Sequence, residues 1–99
     1  MSKPESQQEI QIAPTADYRE GYANSVQIRV SVWDFQLQFG TMTQRSASVV
    51  EIHNFQGVYL SPQQAKAMWN VLGQNVAQYE KAFGEIQLDP RSPTPLAVQ

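Results

Sequence analysis

Glu51 and His53, in the stretch "VEIHNF", are the residues whose types and spacing come nearest to chemistry. Two apart on an extended segment, they point the same way. A carboxylate beside an imidazole can ligate a metal ion. A metal centre needs further ligands, and the chain has one His and no Cys. The pair therefore reads as a solvated polar face. Asp34, beside Trp33, is a carboxylate against an aromatic wall, the setting of a general base. Asp in such a place more simply satisfies the N–H groups of a turn. Ser25, Ser31 and Ser61 have no base in any motif, and Ser61 suits a helix cap. Glu80 and Lys81 fit an exposed helix face. These readings argue against an enzyme, and the sequence calls for no cofactor and no metal.

A second set of residues is built for contact rather than reaction. Trp33, Phe55, Tyr59 and Tyr22 fall outside the apolar patterns described below. Aromatics near an Arg can stack on the bases of single-stranded nucleic acid. They can equally anchor the centre of a protein interface. The net charge is −2, and the seven Lys and Arg residues form no run. That balance disfavours a non-specific electrostatic grip on nucleic acid. Trp33, Phe55, Tyr59 and Arg29 are accordingly the expected partner-binding residues. A protein partner comes first, and single-stranded nucleic acid is the alternative.

The elements that must position them follow from periodicity. Residues 1–21 are polar and interrupted by Pro4 and Pro14, which reads as a flexible arm. The alternative is a short added strand, "EIQI". From Val26, the residues Val26, Ile28, Val30 and Val32 alternate with polar ones, as in a half-buried strand. After Trp33-Asp34 the alternation resumes on Phe35, Leu37 and Phe39 with its parity shifted by one. A two-residue hairpin loop at Trp33-Asp34 restores a common face, placing Val32 opposite Phe35 and Val30 opposite Leu37. A bulge in one bent strand would absorb the same shift. Gly40 is expected to end the strand, with a polar connection after it. A third strand is predicted from about Ala47 to His53, then a turn or bulge at "NFQG" and further extended chain through Leu60. In this reading Glu51 and His53 share the polar sheet face with Gln27, Arg29, Gln36 and Gln38.

Ser61-Pro62 marks a helix start, with Gln64 completing a capping box. Ala65, Met68, Trp69, Leu72, Val76, Tyr79 and Phe83 fall in a sector about 100° wide at helical spacing. Gly84 is a natural stop. Residues 87–99 form a Pro-rich tail. The predicted fold is thus α+β: a three- to four-stranded antiparallel sheet followed by one long C-terminal helix packed on one face. Residues 22–86 make the β-β-β-α domain. In 99 residues such a core is small, and an open sheet has unpaired edges. A homodimer or larger homo-oligomer is expected. The N-terminus lacks the apolar segment of a signal peptide and no apolar run is long enough to span a bilayer. That predicts a soluble, cytoplasmic protein with no membrane partner.

Tyr22-Ala23-Asn24, Asp34-Phe35 with Phe39-Gly40, Ser61-Pro62 with Ala65-Lys66, and Tyr79-Glu80-Lys81 with Phe83-Gly84-Glu85-Ile86 form a spaced pattern. It resembles that of a family of short bacterial and archaeal proteins of unknown function. The likeness spans about residues 20–87 and implies no activity. The element order is also similar to that of two other groups. One is the export chaperones of the SecB kind, which hold unfolded chains. The other is the purine-rich-element binding repeats, which bind single-stranded nucleic acid. The first analogy favours a chaperone-like interaction module, the second the nucleic-acid alternative.

Overall fold

The structure is a computed structural model that describes residues 8–90. Strand β1 runs Ser25–Val30, β2 Phe35–Gln44 and β3 Val50–Leu60, and helix α1 spans Pro62–Phe83. The strands form one antiparallel sheet in the order β1-β2-β3. The fold class is therefore α+β, with three strands and then one helix. Residues 8–24 hold no strand or helix, and Ile10 and Ile12 stand in solvent, so "EIQI" adds no strand to this sheet.

The β1–β2 reversal is a hairpin, but its loop is displaced by one residue from the predicted place. Val30 pairs with Phe35, Ile28 with Leu37 and Val26 with Phe39. Ser31 N–H donates to the Asp34 carbonyl at 2.9 Å, so Val32 and Trp33 form the loop. Moving a loop by one residue changes the register by two, which leaves the faces intact. That is why the apolar pairs still coincide while Val32 is lost to solvent. Among the described residues no non-glycine residue has positive φ, so this tight loop is not of the usual mirror-image kind. Ser31 holds it instead: its Oγ accepts from Trp33 N and Asp34 N, both at 3.1 Å.

Gly40 does not end β2. The strand continues to Gln44, and the pairing with β3 slips between Phe39 and Gly40. Phe55 is the unpaired extra residue, so "NFQG" is a bulge. The slip reassigns faces. Cross-strand partners share a face, so Val26, Ile28, Val30, Phe35, Leu37, Phe39, Val58 and Leu60 form one apolar surface. Beyond the bulge that same side carries Thr41, Thr43, Glu51 and His53. Met42, Val50 and Ile52 turn to the opposite side, behind Gln27, Arg29, Gln36 and Gln38. The expectation that Glu51 and His53 share a face with Arg29 is thereby corrected; one inserted residue inverts every side chain after it.

Helix α1 forms as predicted. The Ser61 hydroxyl accepts from Gln64 N at 3.1 Å and Pro62 opens the first turn. Gly84, at φ 104°, closes it through a bond from its N–H to the Glu80 carbonyl at 2.8 Å. Its docking is not as predicted. Of its 22 residues only Ala65 is buried. Trp69 is 68% exposed and Phe83 76%, and Leu72 and Tyr79 are open as well. The helix touches the sheet marginally, mainly through β3. The buried apolar residues among those described are Leu37, Met42 and Ala65, far from the full core the stripe promised. The molecule is long, 66 × 33 × 30 Å.

Candidate protein-interaction surface

The four residues expected to meet a partner fall into two places. Arg29 pairs with Gln36, and Gln36 with Tyr59, so the three make a row across the sheet, on the side away from its apolar surface. The Gln36 amide lies over Gly57, where a methyl group would sit 3.7 Å from its Nε2. The row is therefore flat at its centre. Tyr59 and Arg29 are exposed at either end of it. Trp33 stands at the tip of the adjacent hairpin, 82% exposed. Such a row is an amphipathic strip with one cation and two large aromatics, suited to another protein's surface.

Phe55 is elsewhere. The bulge throws it toward the arm, where its ring packs against Gly21. A Cβ on Gly21 would lie 3.4 Å from the Phe55 ring, so the bare backbone lets the arm approach. Between arm and sheet runs a cleft of about 810 Å³. Arg19, Glu20 and Ala23 form one wall, and Phe39, Phe55 and Val58 the other. No sequence pattern signals this cleft, because the arm has no periodicity to place it. Within the arm Thr15 Oγ1 donates to Asp17 Oδ1 at 2.7 Å. That bond, aided by Asp17's own backbone, holds the carboxyl below its usual range.

Glu51 sits between Arg45 and His53. Its Oε1 lies 3.2 Å from Arg45 Nη1 and 3.0 Å from His53 Nε2, all on an exposed rim. Surface pairs of this kind contribute little to stability. Among the described residues no three His, Cys, Asp or Glu side chains are grouped to hold a metal ion. Asp34 accepts a bond from the Ser31 hydroxyl at 3.2 Å, which occupies it within the hairpin.

The residues that carried the family likeness serve the backbone. The Asn24 side chain copies a peptide: its Oδ1 accepts from Met42 N at 2.6 Å and its Nδ2 donates to the Met42 carbonyl at 3.3 Å. Asn24 N also donates to the Gly40 carbonyl at 3.1 Å. A methyl group on Gly40 would collide with Asn54 Oδ1 and lie 2.7 Å from the His53 carbonyl oxygen. Glu80 closes the helix end twice, through its carbonyl to Gly84 and its carboxylate to Ile86 N at 3.0 Å. The shared pattern thus marks a clamp, a bulge and two caps.

Fold and motif together define a small α+β protein of three antiparallel strands and a C-terminal helix. The chain belongs to the family described as protein of unknown function DUF3467, whose model matches residues 1–88. The match takes in the arm as well as the β-β-β-α unit. No curated protein and no solved structure matches the chain. Among the described residues no helix is long and apolar enough to cross a membrane.

Proposed function

We propose that this protein is a non-enzymatic, self-associating interaction module that works as a homodimer or larger homo-oligomer in the cytoplasm. One observation supports it above the rest: the helix stripe and the apolar sheet surface are both uncovered in the single chain. A monomer seldom leaves so much contiguous apolar surface in water. The row of Arg29, Gln36 and Tyr59, with Trp33 at its end, lies on the opposite side of the sheet and stays free when the apolar side is covered. It is the surface offered to a protein partner, in chaperone-like fashion to exposed stretches of other chains.

Sedimentation equilibrium of the full chain tests the first half. The expected mass is twice the 11.2 kDa of one chain or a higher multiple. A cooperatively folded monomer at micromolar concentration would sink the reading. The second half predicts that Trp33→Ala with Tyr59→Ala keeps the oligomer. The double variant is expected to lose most of its ability to delay aggregation of a reduced, unfolded test protein. Full retention of that ability removes the row. Tight binding of an oligonucleotide that collapses steeply with salt would replace the protein partner by single-stranded nucleic acid.

A further inference from the structure

Helix α1 has the sequence of a buried element and the surroundings of an exposed one. The azimuth of its stripe is informative. Ala65 stands at the centre of the arc that holds Met68, Trp69, Leu72, Val76, Tyr79 and Phe83, and Ala65 is buried. The helix therefore begins with its apolar side turned toward protein, and five further turns overhang. The connection is short. Only Ser61, extended at φ −62° and ψ 155°, separates Leu60 from Pro62. The short link leaves little slack between the two elements, and α1 leaves its own sheet nearly uncovered. An 11-residue strand is about 36 Å long and a 22-residue helix about 33 Å. The molecule's 66 Å long axis exceeds the length of either element alone.

The sheet has the matching deficit. Val26, Ile28, Val30 and Val58 are exposed on the side that α1 of the same chain leaves bare. The cleft beside the arm opens onto this side through Phe39 and Val58.

We infer that two copies exchange helices, the stripe of each α1 lying on the apolar sheet surface of the other chain. This inference rests on the self-association proposed above and specifies its geometry. A second copy is the fitting occupant because one chain displays both halves of the joint. A two-fold axis then covers four bare surfaces with one type of contact made twice. The size is adequate. At ~200 Å² per aromatic side chain, Trp69, Tyr79 and Phe83 alone leave roughly 400 Å² open. With the aliphatic stripe and the sheet residues added, each chain approaches the ~800 Å² per partner of a stable interface.

The absence of cysteine makes the test clean. One full-length chain carries Ile28→Cys and an affinity tag. A second, untagged, carries Met68→Cys, Leu72→Cys or Val76→Cys in turn. The chains are mixed, equilibrated and oxidised. At least one position is expected to form a disulfide between tagged and untagged chains in high yield, because the bond requires close Cα atoms. Two results would overturn the exchange. One is a dilution-independent disulfide within one chain when Ile28→Cys and the helix cysteine are combined. The other is efficient helix-to-helix linkage with none to Ile28→Cys, which would replace exchange by helix pairing. Either leaves self-association standing. A monomer in the sedimentation experiment removes both, so the two failures are told apart.

Discussion

The bulge end of the sheet and the overhanging helix are built from the same materials and finished to different degrees. At the bulge every shape has its counterpart. Asn24 brackets the Met42 peptide, Gly40 makes room for Asn54 and the His53 carbonyl, and Met42 is 3% exposed. Asn54 Nδ2 reaches across to Gln27 Oε1 at 3.0 Å, tying β3 to β1 over the middle strand. The helix has closed ends and an open flank. Its backbone is capped at Ser61 and Gly84, and Tyr79 and Phe83 lean together with ring centroids 5.0 Å apart, yet both rings remain in solvent. Around the bulge the hydrogen bonds close within one chain, the buried Ser25 hydroxyl excepted; apolar burial does not. Hydrogen bonds satisfy neighbours in sequence or register, whereas a stripe six turns long needs a surface as long as itself.

The contrast can be broken first at Gly40. Gly40→Val is expected to cost about 3 kcal/mol, the upper range for forcing atoms into an occupied space. Chemical denaturation would show it, and an unchanged midpoint would mean the bulge is not the fixed end. Asn24→Ala comes next. It strands a part-buried N–H and carbonyl of Met42, for an expected loss of about 1–2 kcal/mol. Asn24→Asp separates the two bonds, because it can accept from Met42 N but cannot donate to the carbonyl. The smallest change is the most diagnostic for the helix. Nothing lies within 4 Å of where a Gly73 side chain would begin. Gly73→Ala is therefore expected to gain about 1 kcal/mol from helix propensity alone. A loss in its place, growing with protein concentration, would locate a second chain's backbone at Gly73.

How far the sequence carried can be argued from these same residues. Alternation of Val26, Ile28 and Val30 named β1 and its inner side, and the pair Ser61-Pro62 named the helix start to the residue. Each is a local rule with a local cause. The hairpin register was off because parity fixes the side of a strand but not the position of its loop, and Ser31 chose that position by bonding Trp33 and Asp34. The reach of β2 past Gly40 was hidden because a glycine that ends a strand and one that admits a bulge look alike in sequence. Without the bulge, strand parity alone puts Glu51 and His53 on the wrong side. Of the expected contact residues, Arg29 and Tyr59 do share a row, while Phe55 lines a cleft shaped by an arm that has no pattern of its own. The helix stripe was legible; the surface it belongs against was not, since amphipathicity states that a side is buried and not in which molecule.

The single residue between β3 and α1 carries a further consequence. In the proposed exchange, α1 is formed and capped in its own chain but buried only when it meets a second copy. Stability that comes from association rises with the amount of protein present. A cell making little of it would hold bare stripes, open to proteases and chaperones, and would clear them quickly. A cell making more would shelter them and see the lifetime of each chain lengthen. On the proposed exchange, the one-residue Leu60-Ser61-Pro62 link would tie turnover to dosage.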